Sequence, residues 1–234
     1  MNAPPQGPLR LRVGIVDSGC GAAHPLAAAA AFVLTPDGVH QAPAQPDRLG
    51  HGSRVADIVA HLAPSAALCI AQVFDARPAT SALQVAAAID WLVAQGARVI
   101  NLSLGLRAPR AQLADACARA LAAGCVLCAS APALGAAVYP AAFDGVLRVT
   151  GDARCGRGEF SALASAQADF GACVHPLDAA FRASGASMGC AHLSGHIAAH
   201  LAGGGDAAPA ALRAWLGAQA RYGPQRPGSP GDAR

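Results

Sequence analysis

Short apolar runs alternate along this chain with stretches of helical spacing. Residues 11–16 form a compact apolar run closing on Asp17-Ser18-Gly19, which reads as a strand followed by a turn. Residues 26–34 fit either a strand or a short helix, and residues 35–48, rich in Pro, Asp and Gln, read as a surface loop. From 51 to 61 the period becomes helical, with Val55, Ile58, Val59 and Leu62 on one face. Residues 66–73 read as a second buried strand. An amphipathic helix over 81–95 is predicted to turn Leu83, Val85, Ala86, Ile89 and Leu92 toward a core, with Gly96 as its stop. Further strands are predicted at 98–104, 125–130 and 146–151, and further helices at 111–123, 188–201 and 207–219. Residues 152–183 read as loops and short strands.

Strands and helices in alternation predict one α/β domain, a mostly parallel twisted sheet with helices on both faces. The domain is expected to span residues 11–220. A loose arm with three prolines precedes it (1–10), and a tail with three prolines and three glycines follows it (221–234) and is expected to be disordered. In such sheets reactive groups collect beyond the carboxyl ends of the strands, and Asp17 lies at such an end.

Composition narrows the chemistry. The chain has no lysine, which excludes a Schiff base, a P-loop lysine and a Ser-Lys dyad. Net charge is +3, with the arginines scattered, so no nucleic-acid partner is expected. Apolar residues make up 53 %, yet no run is long enough to span a membrane without Gly, Pro or charge interrupting it. The first residues lack the charged and apolar regions of a signal peptide, so a cytoplasmic location is expected. Of the eight cysteines, Cys125 and Cys128 have redox-pair spacing, but residues three apart in a strand face opposite ways. Buried thiols are therefore expected instead. His192, His196 and His200 share helical spacing but have no carboxylate between them, and acidic residues are dispersed. No metal and no cofactor is expected.

Three local signals stand out. Asp17 follows an apolar strand. His51 opens a helix in Gly50-His51-Gly52-Ser53. Ser187 opens another after Ser184-Gly185-Ala186, as a possible N-cap with free N–H groups and the positive end of the helix dipole beside it. Asp, His and Ser are the types nucleophilic catalysis needs: a hydroxyl to attack, a base titrating near neutrality, and a carboxylate to fix the imidazole tautomer. Their chain order is that of the subtilisin triad.

With these residues the chain resembles the subtilisin-like serine proteases over about residues 12–216. Val99-Ile100-Asn101-Leu102-Ser103-Leu104-Gly105 is similar to the family's substrate-binding strand. Tyr139-Pro140-Ala141 and Val146-Leu147-Arg148-Val149 are similar to the segment after the oxyanion loop, and residues 184–195 to the block around the serine. The resemblance implies Ser187 as nucleophile, His51 as general base and Asp17 as its orienting partner. It implies Leu102, Ser103, Leu104 and Gly105 as an edge that pairs with an extended peptide, and Ser130 and Ala131 as the facing wall.

The departures from the family are equally specific. Ala133 stands where the family places its oxyanion asparagine, and the chain's asparagines are Asn2 and Asn101 alone. The Ser187 N–H would remain in the hole, with the Ser130 hydroxyl as a candidate second donor. Ala186, Ala191, Arg54 and Cys173 replace a threonine, a proline, a histidine and a proline of the family pattern. Small size, no recognisable propeptide and the altered oxyanion segment together lead to the expectation of a dedicated processing protease. Its partner would be an extended peptide or protein, such as a leader-bearing small subunit. The alternatives are a peptide-binding pseudoprotease and a transferase or macrocyclase using the same acyl-enzyme.

Overall fold

The computed structural model describes residues 10–21, 23–181 and 185–224. Among these, nine strands and five helices follow in the order β1 (Arg12–Asp17), β2 (Leu26–Thr35), β3 (Gly38–Ala42), α1 (His51–Leu62), β4 (Ala67–Gln72), α2 (Ala82–Ala94), β5 (Ala97–Leu102), α3 (Ala111–Ala122), β6 (Val126–Ser130), β7 (Leu147–Gly151), β8 (Phe160–Ala162), β9 (Phe170–Ala172), α4 (Ala186–Ala202) and α5 (Pro209–Gln219). All nine strands belong to one sheet, ordered β3-β2-β4-β1-β5-β6-β7-β9-β8. The pairs from β2 across to β9 are parallel; β3 and β8 pair antiparallel at the two edges.

Side-chain alternation in the strands divides the core. Val13 and Ile15 of β1 pack on the face covered by α1, α4 and α5, with Met188, Leu193 and Ile197, while Val16 packs on the other face with Ile89, Leu92 and Leu113 of α2 and α3. Each fully buried Ile or Leu of this kind stabilises the fold by about 1.5–3 kcal/mol. Cys125 and Cys128 fall in opposite cores, as their spacing requires, and all eight cysteines are unpaired. Among the described residues no helix is long and apolar enough to cross a membrane.

Helix α2 begins in a capping box: Ser81 Oγ accepts from the Gln84 N–H at 3.3 Å, and the Ser81 N–H donates to Gln84 Oε1 at 3.1 Å. Leu83, expected in the core, is 45 % exposed, because it lies on the outer side of the first turn of α2. The predicted loop over 35–48 contains β3, which forms a hairpin with β2. The segment over 26–34 is strand throughout. Residues 221 and 222 of the expected tail are held to the domain: the Arg221 N–H donates to the Phe160 carbonyl at 2.8 Å, and Tyr222 bridges to Ser161. Residues 1–9 of the arm and 225–234 of the tail lie outside the described residues.

The sheet's connections diverge at β1. Strands β4 and β5 flank it, and the α2 crossover between them packs Leu92 against Gly14 at its centre. The carboxyl end of β1, carrying Asp17, therefore opens into a crevice bordered by the N-terminus of α1 and the end of β5.

Candidate active site

Asp17 is the last residue of β1 and is fully buried. His51 is the first residue of α1, and its Nδ1 donates to both carboxylate oxygens of Asp17, at 2.8 Å to Oδ1 and 3.0 Å to Oδ2. Helix and strand come this close because position 52 is glycine. A Cβ there would sit 2.2 Å from the Gly19 carbonyl oxygen and 3.2 Å from Asp17 Cβ. Burial alone would push the His51 imidazole down, but the hydrogen bond and charge of Asp17, with the charge of Asp47, hold it above its ordinary value of 6.5.

Asp47 and Ser18 complete this corner. The Ser18 N–H donates to Asp17 Oδ1 at 2.7 Å. Ser18 Oγ donates to Asp47 Oδ1 at 2.8 Å and accepts from the Gly52 N–H at 2.9 Å. Asp47 also accepts from the N–H groups of Leu49, Gly50 and Ser53 and from the Ser53 hydroxyl. Burial pushes its carboxyl up, yet the bonds from Ser53, Ser18 and Gly50 outweigh this and hold it below the usual carboxylate value. Asp47 thus serves as the acceptor for the first turn of α1, which has no capping side chain at Gly50. Sequence reasoning missed it. The available signal was an Asp four residues before a helix-opening histidine.

Ser187 is the second residue of α4, not its N-cap; Gly185 holds that position. The helix seats itself at the end of β7 because position 189 is glycine, where a Cβ would meet the Thr150 carbonyl oxygen at 2.3 Å. Ser187 retains a first-turn N–H with no partner inside the helix. Its Oγ donates to the Ser103 carbonyl oxygen at 3.3 Å, and among the described residues no hydrogen bond joins it to His51. The return contact is a long one, Ser103 Oγ to the Ser187 carbonyl at 3.4 Å. Ser103 is itself held by the buried Asn101, whose Nδ2 donates to Ser103 Oγ at 2.7 Å and whose Oδ1 accepts from Ser194 Oγ at 3.0 Å. So Asn101 ties the end of β5 to α4. Residues 182–184 of the serine block lie outside the described residues.

A groove of about 540 Å³ is lined by Asp17 and His51 of the triad and by Ser103, Leu104, Gly105 and Leu106; Ser187 is not part of its lining. Leu102 does not line it. Its side chain is fully buried in the core, so the open edge begins at Ser103. Ser130 and Ala131 do not line it either. Ser130 Oγ is buried without a partner on the strand face shared with Cys128, and the Ala131 N–H is used by the Val149 carbonyl at 2.8 Å. A buried hydroxyl on that face is not open to a substrate oxygen, which argues against Ser130 as the second oxyanion donor. Ala133 is exposed and offers no side-chain donor.

The other histidines are engaged elsewhere. His192 donates through Nε2 to the His175 carbonyl at 3.0 Å, and its burial lowers its pKa. His196 packs on Phe160 and His200 stacks on Trp215, with ring centroids 5.0 and 3.9 Å apart. Among the described residues no three His, Cys, Asp or Glu side chains converge as a metal site would require. Cys20, the one cysteine that is not buried, has its thiol pushed up to about 11, first by burial and then by Asp57 and Asp47, and is not a thiolate near neutral pH.

The chain is similar in sequence and in fold to known proteins. The profile described as the subtilase family matches residues 10–231. A thermostable alkaline protease of Halalkalibacterium halodurans is 34 % identical over 152 residues, covering 59 % of this chain and 40 % of that protein. Subtilisin DY of Bacillus licheniformis is 30 % identical over 172 residues, covering 65 % of this chain and 61 % of that protein. The chain thus spans less than two thirds of the length of these curated relatives. Among solved structures, an S218A mutant of the protease domain of PatA is similar in fold, with a TM-score of 0.60 at 21 % identity over 88 % of this chain and 86 % of that one.

Proposed function

The chain belongs to the subtilase family, and on that premise we propose that it is a serine endopeptidase acting on an extended peptide laid along Ser103-Leu104-Gly105. Ser187 Oγ attacks the carbonyl carbon of the scissile bond while His51 Nε2 takes its proton. Asp17 holds the imidazole with Nδ1 protonated and stabilises the imidazolium that forms. The negative oxygen of the tetrahedral intermediate is held by the Ser187 N–H at the positive end of α4. Collapse expels the amine, which takes the proton from His51, and water repeats the sequence to release the acyl group. The observation that carries this reading is the two-oxygen grip of Asp17 on His51 Nδ1, which leaves the imidazole's other nitrogen as the base.

The absence of a side-chain oxyanion donor at Ala133 favours narrow processing work over general digestion. Subtilisin itself is the known case: losing that donor lowers its kcat by about 10²–10³. The finer reading is therefore leader-peptide removal in the cytoplasm, where eight unpaired thiols fit a reducing compartment. The resemblance is to the small maturation protease of quinohemoprotein amine dehydrogenase, whose substrate is the leader-bearing γ subunit. Incubation with such a subunit is expected to give a single cut; broad digestion of casein would count against this reading. The missing donor also fits a second reading, a peptide-binding module without turnover, which the retained Asp17, His51 and Ser187 disfavour and covalent labelling of Ser187 distinguishes.

A further inference from the structure

The groove beside His51 has a wall that the triad does not account for. Phe181, with Leu49, Phe74 and Leu106, lines the same cavity as His51. Among the described residues, the only charged or titratable groups on the lining are Asp17 and His51, which pair with each other. Phe181 comes from the connection between β9 and α4. There the Phe181 N–H donates to the Asp178 carbonyl at 3.2 Å and the Ala180 N–H to Asp178 Oδ1 at 2.9 Å, closing a tight turn.

Arg54 holds that turn against α1. Its Nη2 pairs with Asp178 Oδ2 at 3.4 Å, and its Nη1 donates to Asp57 Oδ2 at 3.1 Å. Its guanidinium carbon lies 5.3 Å from the centre of the Phe181 ring. Asp57 is anchored in turn by His24 Nε2 at 2.7 Å. A Cβ on Gly50 would lie 3.6 Å from Phe181 Cε2, so the ring stands over the residue preceding His51. A planar cation that stacks on a ring while its fork grips two carboxylates fixes both the loop and the ring's orientation, which a lysine cannot do.

We propose that Phe181, held by Arg54, is a specificity-determining wall that selects an extended peptide with an apolar side chain beside His51. This rests on the proposed reading of the groove as the peptide site. Arg54 acts through Phe181 and is a positioning residue. An apolar wall in a cavity also lined by Leu104 and Leu106 rewards burial of an apolar side chain and leaves a charged one without a partner.

Binding in the Ser187→Ala protein tests this without requiring turnover, so its outcome is separate from that of the labelling experiment on the wild-type serine. The probes are capped alanine pentapeptides carrying Phe, Leu, Ala or Arg at each position in turn, measured by calorimetry. One position is expected to favour Phe and Leu over Ala and Arg. Phe181→Ala should cut that preference about tenfold or more, and Phe181→Leu should largely restore it. Arg54→Gln should reduce it about three- to tenfold, and adding Arg54→Gln to Phe181→Ala should have little further effect. Thermal melting identifies any variant that fails to fold; if that is Phe181→Ala, folded Arg54→Gln carries the test, and an unchanged apolar preference there would overturn the proposal. An unchanged Phe-over-Ala ratio in folded Phe181→Ala, or no position with an apolar preference, would overturn the proposal.

Discussion

The hydroxyl of Ser187 donates to the main-chain carbonyl of Ser103 at 3.3 Å. The residue proposed to open the peptide-pairing edge thus holds the candidate nucleophile. For Ser187 to give its proton to His51, this bond must exchange for one to the imidazole. A peptide pairing along Ser103–Gly105, as proposed, would enter where that exchange happens. In the proposed mechanism, substrate binding and nucleophile release would be coupled through that one carbonyl oxygen.

In the proposed mechanism His51 sets the pH dependence. Asp17 and Asp47 hold its pKa above 6.5, so the neutral base forms only as pH rises through that raised value. Serine labelling and peptide cleavage should therefore increase with pH through a midpoint above 6.5. Stability moves the other way. The protonated pair with Asp17 adds stability fully below the unfolded value, and this is lost as pH rises through the folded one. Asp47→Asn removes one of the charges holding the imidazole up, so its activity midpoint should fall. A midpoint unchanged in Asp47→Asn would contradict this electrostatic account.

Asp17→Asn should keep the fold and lower kcat by about 10⁴, because an amide stabilises the wrong imidazole tautomer and cannot balance an imidazolium. Melting temperature and kcat on one peptide check both halves. A loss below tenfold would mean that Asp17 does not orient His51 during turnover.

Gly52→Ala places a methyl group 2.2 Å from the Gly19 carbonyl oxygen, so α1 must move away from β1. The expected cost is about 1–3 kcal/mol of stability, with a loss of labelling larger than that cost would produce through unfolding alone. The two are read from chemical denaturation and from labelling rate on folded protein. Wild-type labelling in this variant would show that the spacing between α1 and β1 is not critical.

Ala133→Asn is expected to leave the fold intact, since residue 133 is exposed, and to change kcat by less than about tenfold. Restoring the donor type does not by itself place it at an oxyanion, and a donor must lie within roughly 3 Å of that atom to count. A gain near 10²-fold or more would mean that the loop after Pro132 still carries the geometry of the asparagine-bearing relatives.

Much of this site was legible from the chain alone, for a local reason. Asp17, His51 and Ser187 each stand where an apolar period begins or ends, so the pattern that builds the sheet also marks its carboxyl edge. What was not legible depends on contacts between distant segments. Asp47 lies in a stretch read as loop, and only the folded chain shows it gathering its partners at the start of α1. Leu102 and Ser103 differ by one step of strand alternation, and the register of β5 alone decides which lines the groove. Strand β3 is short and half exposed, so its apolar signal is faint, although Thr35-Pro36-Asp37-Gly38 carries the turn chemistry of a hairpin. Ser187 reads as a cap because caps and first-turn residues share a composition; the position of Gly185 separates them.

Reaction with a fluorophosphonate tests the central claim most directly. Covalent modification is expected at Ser187 alone, abolished in His51→Ala and rising with pH through the raised His51 midpoint. A well-folded protein that stays unlabelled across that range, or one labelled equally in His51→Ala, would contradict a serine nucleophile activated by His51.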